Sequence, residues 1–263
     1  GWPLGATPQL FWPFGTSIGF TDANPWASLL FKPISPLLPL DFQPFGLWFL
    51  LCFVLQGWFG ARVSAAFTGD PVQRALGGML FAVTPLLPAR NPHIALCGFF
   101  LLTAGLALYL RAASSRQQVR SLLISALALL AWAAGTHGYL SLMLLVLMLA
   151  LAARLTFSDR LLSLRELALA ALAAVALTLA IYWLFGYLGW KTTELTAEGF
   201  GEFSGDLTAL INPQGWSRWI EPLPFMPRQW EGFAYLGSGV LALLALRVAL
   251  WLWRPKTAWR QLG

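Results

Sequence analysis

A chain of 263 residues that is 58% hydrophobic and only 11% charged, with a mean hydropathy of +0.66, cannot assemble the roughly one-quarter charged surface of a water-soluble domain. Soluble globular classes are excluded, and the length is better divided by the roughly 20 residues of a bilayer-crossing helix than by soluble domains. The net charge of +6 is a matter for membrane orientation before it is an argument for nucleic acid.

The chain opens without Met or a basic leader, so no signal peptide is visible, and it reads as a central piece of a longer protein. Residues 1–43 form a polar stretch dense in Pro, Gly and Trp, as suits irregular backbone at a membrane surface. Within it, "GTSIGFTDANPW" (15–26) sets Asp22 among small polar residues just ahead of the oily part of the chain. A carboxylate at the edge of hydrocarbon is costly to desolvate and suits a general base. Asp22 is equally suited to capping the short helix expected from "NPWASLLFKP", but Asn24 competes for that role directly before Pro25, a good first helical residue. If Asn24 caps, Asp22 is released for chemistry.

Apolar runs follow at about 44–66, 75–88, 94–111, 119–135, 137–154, 167–188 and 233–253, about seven spans of an all-α polytopic membrane protein. The organisation expected is a first outer loop (1–43) with a short interfacial helix, a transmembrane body (44–188), a second outer loop (189–232), and a last span with an inner tail (233–263). With residue 1 outside, the inner connections collect Arg62, Arg74, Arg111, Arg116, Arg120, Arg154, Arg160, Arg165, Arg247, Arg254, Lys256 and Arg260. Only Lys32, Arg90, Lys191, Arg218 and Arg228 remain outside, a split that follows the positive-inside rule and leaves no charge needing a nucleic-acid partner. Cys52 and Cys97 lie in apolar runs and read as small buried hydrophobes rather than a disulfide.

The outer face is where chemistry is sought, because loops on a rigid scaffold carry function. His93 opens the third run and His137 the fifth, both on the side of Asp22, and each is either a ligand-binding imidazole or a packed interfacial one. Arg90 suits a phosphate or simply snorkels at a helix end. In the second outer loop Glu202, Asp206, Asn212, Arg218, Arg228 and Glu231 alternate with Phe200, Phe203, Trp216, Trp219 and Trp230. Aromatic faces beside carboxylates, amides and Arg suit a sugar, which offers one apolar face and a rim of hydroxyls, although an interfacial aromatic belt has the same composition. Glu202 and Asp206 are spaced to share a divalent metal if helical, but Gly205 stands between them.

The stretches "PFGTSIGFTDANPWASLLFKPISPLLP", "GGMLFAVTPLLPARNPHIAL", "GDLTALINPQGWSRWIEPLP" and "EGFAYLG" together resemble an uncharacterised bacterial family of multispanning proteins. That family looks like part of the C-type integral-membrane glycosyltransferase superfamily. The resemblance implies a bacterial inner-membrane enzyme with its long loops in the periplasm, taking a sugar from a polyprenyl-phosphate carrier and passing it to an acceptor with inversion. On it, Asp22 is the catalytic base, and with such a donor the substrate-binding candidates that the residues themselves offer are Arg90, His93, His137, Glu202, Asp206, Asn212, Trp216, Arg218 and Glu231. The chain departs from such enzymes in opening inside the first outer loop, so on the resemblance the catalytic acid is either Asp22 or a residue ahead of Gly1. A transporter or flippase of a lipid-linked substrate is the main alternative, and a non-catalytic scaffold subunit the second. Spans without central charges disfavour ion-coupled transport.

Overall fold

The computed structural model describes residues 4–8, 10, 12–188, 205, 207–224 and 232–253. The chain divides into two compact units, one of Gly1–Val83 with Arg90–Glu194, the other of Thr84–Ala89 with Leu195–Gly263.

In the first unit a two-stranded antiparallel ladder, β1 (Ala6–Thr7) on β2 (Thr16–Ser17), precedes α1 (Pro25–Phe31). Then come α2 (Phe45–Ser64) and α3 (Pro71–Ala82); α4 (Leu86–Ala89) belongs to the second unit. The first unit resumes with α5 (Phe100–Leu110), α6 (Arg116–Ala134), α7 (Gly138–Ala153, running on into a π turn at Arg154–Ser158) and α8 (Leu164–Leu184). The second unit adds a 3-10 turn at Leu207–Leu210 and α9 (Ser238–Leu252).

Four helices among the described residues are long and apolar enough to cross a membrane: α2, α6, α7 with its π turn, and α8. Their outward faces carry Leu47, Leu50, Val54, Ile124, Leu142, Val146, Leu169 and Leu172, all exposed, a surface that hydrocarbon covers and water does not. The other three apolar runs form shorter helices, each for a local reason. Pro85 disfavours helical backbone at Thr84 and interrupts the 75–88 run, whose helix α3 stops at Ala82. In the 94–111 run the segment before Phe100 is a chain of tight turns, and in the 233–253 run Gly237, at φ 91°, stands before Ser238 as the non-helical start of α9. At 1.5 Å per residue α5 spans about 17 Å and α9 about 22 Å, short of the ~30 Å hydrocarbon core.

Small residues let the helices close. A Cβ on Gly78 would lie 2.6 Å from the Gly57 carbonyl oxygen, and one on Gly60 would lie 2.5 Å from Phe81, so the α2/α3 hairpin is held at backbone-to-backbone range. Gly105 of α5 likewise makes room for Leu144 of α7. Inside this apolar packing Thr103 donates to Gln56 at 3.2 Å, pairing two buried polar groups across α2 and α5. Cys52 and Cys97 are free and buried, as small hydrophobes are.

The bundle has chemically different ends. Arg62, Arg111 and Arg154 close α2, α5 and α7, and Arg116 and Arg165 open α6 and α8, all at one end. Arg154 donates to the carbonyls of Tyr109 and Arg111 and pairs with Asp159, and Arg116 pairs with Glu166 at 2.6 Å. The opposite end receives the first loop.

Candidate functional site at the loop end of the bundle

The first loop is bolted to the bundle by hydrogen bonds its own residues cannot make locally. Trp26 donates its backbone N–H to the Gly135 carbonyl at 3.1 Å and its indole Nε1–H to Ala131 at 3.0 Å. Its ring meets Phe185 edge-on at 4.9 Å, in a cluster with Ala134, Ile181 and Tyr182. Leu4 donates to the Leu184 carbonyl at 3.0 Å, fixing the β1/β2 ladder to the end of α8. The start of α7 is tied down in the same place: Tyr182 donates to the Gly138 carbonyl at 2.9 Å and its hydroxyl also pairs with Ser141.

On this platform Asn24 caps α1, its Oδ1 accepting the Ala27 N–H at 3.2 Å, and Pro25 takes the first helical position. Asp22 is therefore not spent as a cap. Thr21, whose hydroxyl donates to Ile18 and accepts from Ala23, shapes the turn that presents it.

The carboxylate reaches across 71 residues to His93, with Asp22 Oδ2 at 2.9 Å from His93 Nδ1. His93 sits in the run of turns before α5, its N–H on the Arg90 carbonyl and its own carbonyl accepting from Leu96. Both side chains are about two-fifths exposed, 39% for Asp22 and 43% for His93, so the pair opens to the surface. A carboxylate can only accept, so in this bond Nδ1 carries the hydrogen and Nε2 carries the lone pair of a neutral imidazole.

His137 has the other tautomer. Its Nδ1 accepts the Tyr139 N–H at 3.2 Å and caps α7, leaving the ring hydrogen on Nε2. Burial is the main cause that lowers its pKa; the Asp22 charge opposes this and His93 adds to it, so all three groups share one electrostatic neighbourhood. Arg90 belongs to it as well, since the charges of Arg90 and Asp22 are both felt, with opposite sign, at the Cys97 thiol. The end of the bundle thus gathers a carboxylate–imidazole pair, a neutral ring donor and a guanidinium.

The remaining candidates belong to the second unit or fall outside the described residues. Asn212, Trp216 and Arg218 are in the second unit. Asn212 is buried and its amide is already committed: Oδ1 accepts from Gln214 and Leu223, and Nδ2 donates to the Leu223 carbonyl at 3.2 Å, closing the loop on itself. Trp216 exposes half its surface with its ring 6.0 Å from Phe233, and Arg218 is exposed. Glu202, Asp206, Arg228 and Glu231 fall outside the described residues. Among the described residues no group of three or more His, Cys, Asp or Glu side chains is placed to hold a metal ion. What sequence reasoning missed is the partnership of Asp22 with His93, which no spacing rule reveals.

The sequence model of one family matches residues 1–263, the whole of the chain. The chain belongs to the DUF6311 family, a domain of unknown function. No curated protein and no solved structure matches it.

Proposed function

We propose that this DUF6311 chain is a membrane transferase that moves a sugar from a polyprenyl-phosphate carrier to an acceptor hydroxyl, with His93 as the base and Asp22 as the group that orients it. The observation that carries the proposal is the 2.9 Å bond between Asp22 Oδ2 and His93 Nδ1, made while Asn24 does the capping. It sharpens the reading of Asp22 as the base: the carboxylate acts through the imidazole it fixes.

In the reaction His93 Nε2 takes the proton of the acceptor O–H as that oxygen forms its bond to the anomeric carbon. The bond from that carbon to the phosphate oxygen breaks, and its electron pair leaves with the polyprenyl phosphate. The imidazolium formed is stabilised by the Asp22 charge, as in other carboxylate–imidazole pairs. Arg90 and the Nε2–H of His137 are the groups in the same neighbourhood suited to developing negative charge on the phosphate. A lipid-linked donor suits a pair presented at one end of a bundle that contains helices of membrane length, because the carrier delivers its head group to that surface. The proposal includes about seven spans in a bacterial inner membrane, with the loop end in the periplasm.

The test is transfer of radiolabelled sugar from the polyprenyl-phosphate pool of membranes containing the protein, compared with Asp22→Asn and His93→Gln. Both variants are expected to lose about 100-fold or more, the range of a positioned general base. Full activity in His93→Gln overturns its role as base, and wild-type membranes that transfer no more label than membranes lacking the protein overturn the transferase reading.

A further inference from the structure

A second feature lies at the opposite, arginine-rich end and is independent of the transferase reading. Between α6, α7 and α8 an apolar groove of about 380 Å³ is lined by Leu123, Leu127 and Leu130 of α6, Met148 of α7 and Leu169 of α8. From Arg116 to Leu130 the α6 wall is about 21 Å long at 1.5 Å per residue, more than one leaflet of a ~30 Å hydrocarbon core. Ile124 and Leu169 on its rim are 57% and 55% exposed, so the groove opens sideways, where a bilayer would meet it.

The mouth is charged. Arg116, Arg120 and Glu166 line it, and Glu166 is paired with Arg116 at 2.6 Å. Arg120 makes no ion pair among the described residues and is exposed, one turn along α6 from Arg116. The N-termini of α6 and α8, 19 and 21 residues long, also end here and add the positive ends of their dipoles. Uncompensated positive charge therefore stands at the head of an apolar slot.

We propose that this groove holds one tail of a lipid whose anionic phosphate head group pairs with Arg120. The charge at the mouth decides the head group, since a zwitterionic lipid brings no net charge to meet Arg120. The tail follows from the walls, which along the slot are hydrocarbon.

The test uses the full chain in mixed phosphatidylglycerol and phosphatidylcholine, with retained lipid counted by native mass spectrometry. Phosphatidylglycerol is expected to be favoured about fivefold, the value of one cation beside an anionic lipid. Arg120→Gln is expected to bring the two lipids to parity. Glu166→Gln keeps the capping box with Ser163 but frees Arg116, so it is expected to raise phosphatidylglycerol retention, which a purely structural role for Glu166 would not. Leu127→Trp, which fills the slot, is expected to lose the lipid. Parity in the wild type, or an undiminished preference in Arg120→Gln, overturns the proposal, and so does displacement of bound lipid by free glycerol phosphate, which would leave an anion site with no place for a tail. Because Arg120 is exposed, its variant keeps the test decisive if Leu127→Trp does not fold.

Discussion

The ring nitrogen with which His137 caps α7 is the one an imidazolium must protonate, so the charged ring cannot accept the Tyr139 N–H at 3.2 Å. Burial adds to this, and the pKa lies below the ordinary imidazole value of 6.5. A group whose folded pKa is depressed binds its proton more readily in the unfolded chain, so stability from neutral His137 is present above 6.5 and is lost as pH falls through the lowered value. The Asp22 charge works against this lowering and His93 adds to it. Thermal unfolding in detergent is predicted to fall as pH drops from about 7 to about 5, and His137→Asn, which caps without titrating, to flatten that fall. An equally steep decline in the variant would place the acid sensitivity elsewhere. Nothing in "GTHGY" signals this role: His is not a favoured cap, and the tautomer depends on where the turn aims the ring.

At the scale of elements, the join between α1 and the bundle depends on an absent side chain. Gly135 ends α6 with φ −99°, a conformation any residue adopts, so its value is space and not backbone freedom. A Cβ there would stand 2.2 Å from Trp26 Nε1 and 2.8 Å from the Phe185 ring. Helix propensity alone makes Gly135→Ala neutral or stabilising. Overpacking instead predicts a loss of roughly 1–3 kcal/mol, with α1 lifted from α6 and the first loop opened to protease. Asn24→Ala, which removes a cap and leaves the Trp26 contacts, is predicted to cost about 1 kcal/mol. A Gly135→Ala protein as stable and protease-resistant as the wild type would show that Trp26 is not what holds the loop. The two elements differ in how far the sequence disclosed them. Asn24 before Pro25 is a local signal and announced the start of α1, whereas the Trp26–Gly135 contact joins segments over 100 residues apart and has no local trace.

Over the whole molecule, the properties legible in the sequence are those that sum along the chain. Hydropathy marks α2, α6, α7 and α8, and the arginines closing α2, α5 and α7 and opening α6 and α8 reveal the two-ended charge pattern before any packing is known. Hydropathy is blind to turns, so it ran α5 back through the turns before Phe100 and α9 back past Gly237. It is also blind to which loops meet, and so left Asp22 and His93 as separate candidates. The charge pattern makes a last prediction that does not depend on any catalytic role. Leu40, fully exposed between α1 and α2, lies toward the loop end, and Gly69, where an added Cβ meets nothing within 4 Å, lies between α2 and α3 at the arginine end. With Cys52 and Cys97 replaced by Ala, Leu40→Cys is expected to react with an impermeant maleimide on intact cells. Gly69→Cys is expected to react only after the membrane is opened, as the proposed orientation with the arginine-rich end in the cytoplasm requires. The reverse pattern would put Asp22 and His93 in the cytoplasm, where the acceptor would have to be sought among cytoplasmic molecules, and labelling of both positions on intact cells would mean that α2 does not cross the membrane at all.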